Sequence, residues 1–106
     1  MQGKREVNTI LNIIKHRENN ALTFALNGRL DTTTAPEFEA ELKNSIEGLS
    51  SLTLDFKGLE YISSAGLRVL LSAQKQTAGK MKIRNVNETV AEIFDITGFS
   101  DILTIE

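Results

Sequence analysis

Between Leu52 and Gly79 the chain changes its apolar period once, and that change limits what it can fold into. Leu52-Thr53-Leu54-Asp55-Phe56 alternates apolar and polar residues, the pattern of a strand with one buried face. Behind Tyr61-Ile62-Ser63-Ser64-Ala65-Gly66, the residues Leu67, Leu70, Leu71 and Ala78 stand at helical spacing, and Gly79 offers a left-handed C-terminal cap. A strand therefore runs into a helix with two serines at the changeover. A helix start presents free backbone N–H groups and the positive end of the helix dipole, both favourable to a serine oxygen or an anion. Ser64 can thus act as a simple cap or as an acceptor of phosphate.

The flanking segments repeat this alternation of strand and helix. Met1 to Val7 are polar and expected to fray, and Thr9 to His16 form the first apolar run. A turn at Glu18-Asn19-Asn20 leads to Ala21–Leu26, where Leu22, Phe24 and Leu26 share one side, so the two runs are expected to pair as an antiparallel hairpin. Thr34 with Glu37 has the spacing of a capping box, and Pro36 falls in the first turn. Phe38, Leu42, Ile46 and Leu49 then predict an amphipathic helix ending near Gly48, with Glu37, Glu39, Glu41 and Lys43 in water. Met81–Val86 alternates as a further strand. Asn87 is a good cap for a third helix through Val90, Ile93 and Phe94, closing at Gly98, and Phe99, Ile102, Leu103 and Ile105 end the chain as a helical turn or a last strand. This order predicts one α/β domain over residues 1–106. Its small mixed sheet carries an N-terminal antiparallel hairpin, flanked by three to four α-helices mostly on one side.

Composition removes several classes of function. The chain has 106 residues, a formal charge of −2 and twelve scattered Lys and Arg, so no basic face for nucleic acid is expected. Cysteine is absent, which excludes disulfides, thiolate metal sites and cysteine catalysis. No apolar run reaches signal-peptide or membrane-spanning length, and the expected location is the cytoplasm, with no membrane partner. An enzyme is not expected either. The nucleophile elbow needs Gly two residues before its serine, where Ile62 stands, and His16 is the sole histidine that could serve as a base. Asp31 and Asp55 lack neighbouring ligands for a metal, Asp31 has the character of a turn former, and neither phosphate-cradling fingerprint occurs, so no cofactor is expected.

Three segments resemble the bacterial anti-sigma factor antagonists built on the STAS domain. They are Gly28-Arg29-Leu30-Asp31 with the threonine-led helix behind it, Leu54-Asp55-Phe56 through Tyr61-Ile62-Ser63-Ser64-Ala65-Gly66-Leu67, and Ile93-Phe94-Asp95-Ile96-Thr97-Gly98-Phe99. The middle one is the most specific. The resemblance implies a cytosolic partner-switching protein that binds an anti-sigma factor acting also as a serine kinase. Phosphorylation of one serine at the helix start ends that binding, and a PP2C-type phosphatase restores it.

The matching acceptor is Ser64, and Ser63 is the alternative acceptor, standing where the family commonly has Asp. The implied partner face comprises Asp31, Ser63, Ser64, Ala65, Gly66 and Arg68, and the implied state is a monomer or weak dimer. A second reading is a constitutive STAS interaction or scaffold module in a signalling or lipid-transport assembly, with Ser64 only a cap.

Overall fold

In the computed structural model, which describes residues 11–106, strands β1 (Leu11–Glu18) and β2 (Ala21–Leu30) form the expected antiparallel hairpin. Helix α1 (Ala35–Ser45), strand β3 (Ser51–Ile62), helix α2 (Ser64–Gln76), strand β4 (Met81–Arg84) and helix α3 (Glu88–Thr97) follow, and a 3-10 turn spans Phe99–Asp101. The sheet order is β1-β2-β3-β4, with β3 parallel to β2 and β4 parallel to β3. Thr9 and Ile10 of the first apolar run, and the frayed start expected at Met1 to Val7, lie outside the described residues.

Parallel strands covered on both faces read as continuous apolar runs, whereas these alternate, and the reason is that among the described residues helices cover only one face. The register sets Phe24, Leu54 and Ile83 in one row and Leu22, Leu52 and Met81 in the next, all buried. On the opposite face the rows are Thr23, Thr53, Lys82 and Ala25, Asp55, Arg84, with Ile14 beside Ala25 and 57% exposed. Phe38 of α1 meets Phe24 edge-on, with ring centroids 5.6 Å apart, and fixes that helix to the sheet.

Four local expectations are corrected. Strand β3 runs six residues past Phe56, because the register slips twice, between Ala25 and Asn27 and again between Gly28 and Arg29, and Leu59 and Ile62 become the buried positions. Those slips break the strict alternation by which a strand end is read. Helix α1 stops at Ser45, so Ile46 and Leu49 pack on the core from outside it. The capping box at Thr34 does not form: Thr34 has α-region dihedrals (φ −99, ψ −19), and its hydroxyl donates to the Arg29 carbonyl at 2.7 Å. Ala78 is exposed, and Val69 and Ala73 are buried on α2 in its place.

Asn87 caps α3 as expected, accepting from the Val90 N–H at 2.8 Å, while its Nδ2 donates to the Leu59 carbonyl at 2.8 Å. One side chain thereby satisfies a helix start and part of the irregular end of β3. The C-terminal segment pairs with β4: the Ile83 N–H donates to the Thr104 carbonyl at 2.9 Å, and the Glu106 N–H donates to the Ile83 carbonyl at 2.8 Å. This covers an otherwise open strand edge.

Candidate functional site

Strands β2 and β3 are parallel and Leu30 is the register partner of Ile62, so the residues that follow each of them leave the sheet side by side. The Ser63 N–H donates to the Leu30 carbonyl at 2.9 Å and closes the gap. Asp31 and the serine pair, 32 positions apart in sequence, therefore share one corner, at the N-terminal ends of α1 and α2.

Asp31 shapes its own loop. Its Oδ1 accepts from the Thr33 N–H at 3.0 Å and the Thr34 N–H at 3.2 Å, and its carbonyl accepts from the Ala35 N–H at 2.8 Å. It thus occupies the donor at Thr34 that the expected Glu37 contact would have taken, as a turn-forming aspartate does. Behind it, the Arg29 guanidinium lies 4.5 Å from the centre of the Tyr61 ring, with Nε 3.7 Å from Asp31 Oδ2. Arg29, Tyr61 and Thr34 belong to the frame of the site, although none was named from sequence as a residue of the partner face. The Arg29–Tyr61 contact follows from strand register, which leaves no trace in a single chain.

The two serines differ. Ser63 is the N-cap of α2, in extended conformation (φ −103, ψ 178), yet its Oγ is shielded from solvent and has no hydrogen-bond partner among the described residues. Ser64 is the first helical residue and is exposed. The expectation of Ser64 as the cap is thereby corrected by one position. Arg68 is exposed one turn further along α2, and Ala65 is half-buried. Gly66 is buried: a Cβ there would come within 2.7 Å of Ile62 Cγ1 and 2.9 Å of Leu30 Cγ and the Leu30 carbonyl oxygen. Its missing side chain brings α2 close to the sheet, and the residue lies beneath the rim it was expected to line. Between the helices runs an open groove of about 340 Å³, lined by Thr32, Pro36, Glu39, Ala65, Arg68 and others.

His16 is paired with Thr23, seven residues before Leu30 on β2, which puts it about 23 Å along the strand from the serine corner. It cannot serve Ser64 as a base. Among the described residues, no three His, Cys, Asp or Glu side chains gather as a metal site. Asp55 is on the open sheet face, where its Oδ1 accepts from Asn85 Nδ2 at 2.9 Å and from the Lys57 N–H at 3.0 Å. The Asn85 bond foremost, with the Lys57 N–H and the charges of Arg84 and Lys57, holds its carboxyl below the ordinary value despite opposing burial. Its register partner is Ala25, five residues before Leu30, so it belongs to another part of the surface.

The family model of the STAS domain matches residues 12–106. The chain belongs to the STAS family. Among STAS relatives, BtrV of Bordetella bronchiseptica is 36% identical over 88 residues, 79% of this chain and 76% of its own. The anti-sigma-B factor antagonist of Bacillus subtilis is 29% identical over 98 residues, 90% of each chain. Among solved structures, the anti-sigma factor antagonist SpoIIAA has this fold in its unphosphorylated form, with a TM-score of 0.77 at 18% identity over 90% of this chain and 88% of that one. Its phosphorylated form gives 0.70 at 17% identity over 90% and 91%. No helix among the described residues is long and apolar enough to cross a membrane.

Proposed function

We propose that this STAS domain is a non-enzymatic, cytoplasmic anti-sigma factor antagonist that switches partners through phosphorylation of Ser64. Unmodified, the corner of Asp31, Ser63, Ser64, Ala65 and Arg68 docks on an anti-sigma factor that is also a serine kinase. The γ-phosphoryl group of ATP then passes to Ser64 Oγ, which gives up its proton, ADP leaves, and the complex separates. A PP2C-type phosphatase hydrolyses the phosphoserine and restores binding. The carrying observation is the contrast between the serines: Ser64 is exposed at the first position of α2, whereas Ser63 Oγ is shielded from solvent. Relatives named anti-sigma factor antagonists support the same reading.

Phosphate adds about −1.5 to −2 charges at neutral pH, which opposes docking by desolvation and by repulsion from facing carboxylates. Incubation with the cognate kinase and ATP, followed by mass-spectrometric mapping, is expected to place one phosphate on Ser64 and none on Ser63. S64A is expected to retain kinase binding, while S64D weakens it on the order of tenfold or more. Absence of phosphate from both serines refutes the switch and favours a constitutive docking module. Equal affinities for S64A and S64D refute its electrostatic basis.

A further inference from the structure

Arg68 is the exposed cation closest in sequence to the acceptor, and its spacing from Ser64 is that of neighbours on one helix face. Both side chains are exposed on α2, four residues apart, with the prospective anion on the N-terminal side of the cation. In a helix this is the favourable order for an i, i+4 ion pair, because it also agrees with the helix dipole. Arg68 makes no ion pair among the described residues. The guanidinium is therefore available to turn toward whatever charge appears one turn back.

We infer that Arg68 is the internal counter-charge of phosphorylated Ser64, so that modification withdraws this cation from the docking face as well as adding an anion to it. The inference rests on Ser64 being the acceptor. A guanidinium offers paired N–H donors to phosphate oxygens, and the first turn of α2 contributes its free N–H groups to the same anion. The charged groups that share this corner with Arg68 include Asp31 on the loop before α1, with Arg29 behind it, and Glu39 of α1, which lines the same groove. Glu39 shares that groove with Arg68 without forming an ion pair to it. A phosphate carrying nearly two charges attracts the guanidinium more strongly than that single carboxylate. The surface thus changes from one exposed cation to a partly neutralised phosphate held on the domain itself.

The test uses phosphoserine installed at position 64 during synthesis of the full chain, so no kinase is needed, and follows the phosphate by phosphorus NMR against pH. A phosphoserine ordinarily loses its second proton near pH 6. With Arg68 in place that value is expected to lie lower, and R68Q is expected to raise it by about 0.3 to 0.7 unit. R68K, which keeps the charge, is expected to recover most of the depression, and E39Q to preserve it. An unchanged value in R68Q overturns the pairing, and so does an R68K value equal to that of R68Q. Failure of the kinase to modify Ser64 would refute the switch yet leave this titration intact, so the two ideas fail separately.

Discussion

At the scale of single residues, the serine corner depends on one atom that is missing and one that is hidden. Gly66 lets α2 approach Leu30 and Ile62, and a methyl group there would meet backbone as well as side-chain atoms. G66A is accordingly expected to lower stability by about 1–3 kcal/mol in urea unfolding, an overpacking cost that the Leu30 carbonyl cannot relieve by changing rotamer. The hidden atom is Ser63 Oγ, which the sequence left as the alternative acceptor to its neighbour Ser64. On the open face, Asp55 makes a separate prediction about pH. Its folded pKa is depressed, so the stability it adds is present above the ordinary carboxylate value of about 3.9 and is lost as pH falls through the lower folded value. N85A is expected to raise the Asp55 pKa toward the ordinary value in a carboxyl NMR titration, and D55N to flatten the loss of stability in that acid window.

At the scale of elements, the ends of helices were partly legible. Asn87 and Gly98 bracket α3 as read, because an Asn cap and a left-handed Gly act locally and need no distant partner. Thr34 misled for the converse reason: its hydroxyl is engaged by Arg29 and Asp31, which the fold of the preceding loop brings to it. The end of α2 has two left-handed residues, Ala78 at φ 55 and Gly79 at φ 82. A left-handed alanine costs about 1–2 kcal/mol, so A78G, at an exposed site, is expected to stabilise by about 0.5–1 kcal/mol after the greater chain entropy of glycine is subtracted. G79A is expected to destabilise by about 1–2 kcal/mol. Paired urea titrations compare the two, and equal effects would contradict the backbone explanation.

At the scale of the whole molecule, the core that the described residues form between α1, α2, α3 and one sheet face holds every part of the site in place. Phe38 joins α1 to that core through Phe24, and both rings are fully buried. F38A is expected to cost about 3–5 kcal/mol, against total stabilities of about 5–15 kcal/mol for domains of this kind. The variant should therefore show a sharply lower thermal midpoint and lose partner binding through unfolding. S64D, at an exposed helix start, should lose binding with its midpoint unchanged or raised. Circular dichroism melts distinguish the two routes to the same loss.

The sequence alone determined the α/β order, the hairpin, the three helices and the place of two serines at a strand-to-helix change, since periodicity and caps are local properties of a chain. Three of its segments, the middle one the most specific, also indicated the family. Tertiary structure alone decided that β3 continues through two register slips to Ile62, that Asp31 stands beside Ser63, and that Arg29 lies over Tyr61. It also separated the buried Ser63 oxygen from the exposed Ser64 and put Gly66 under the rim rather than on it. The physical reason is common to all of these. Each depends on which residues of two parallel strands are register partners, and that pairing comes from packing between segments about thirty residues apart.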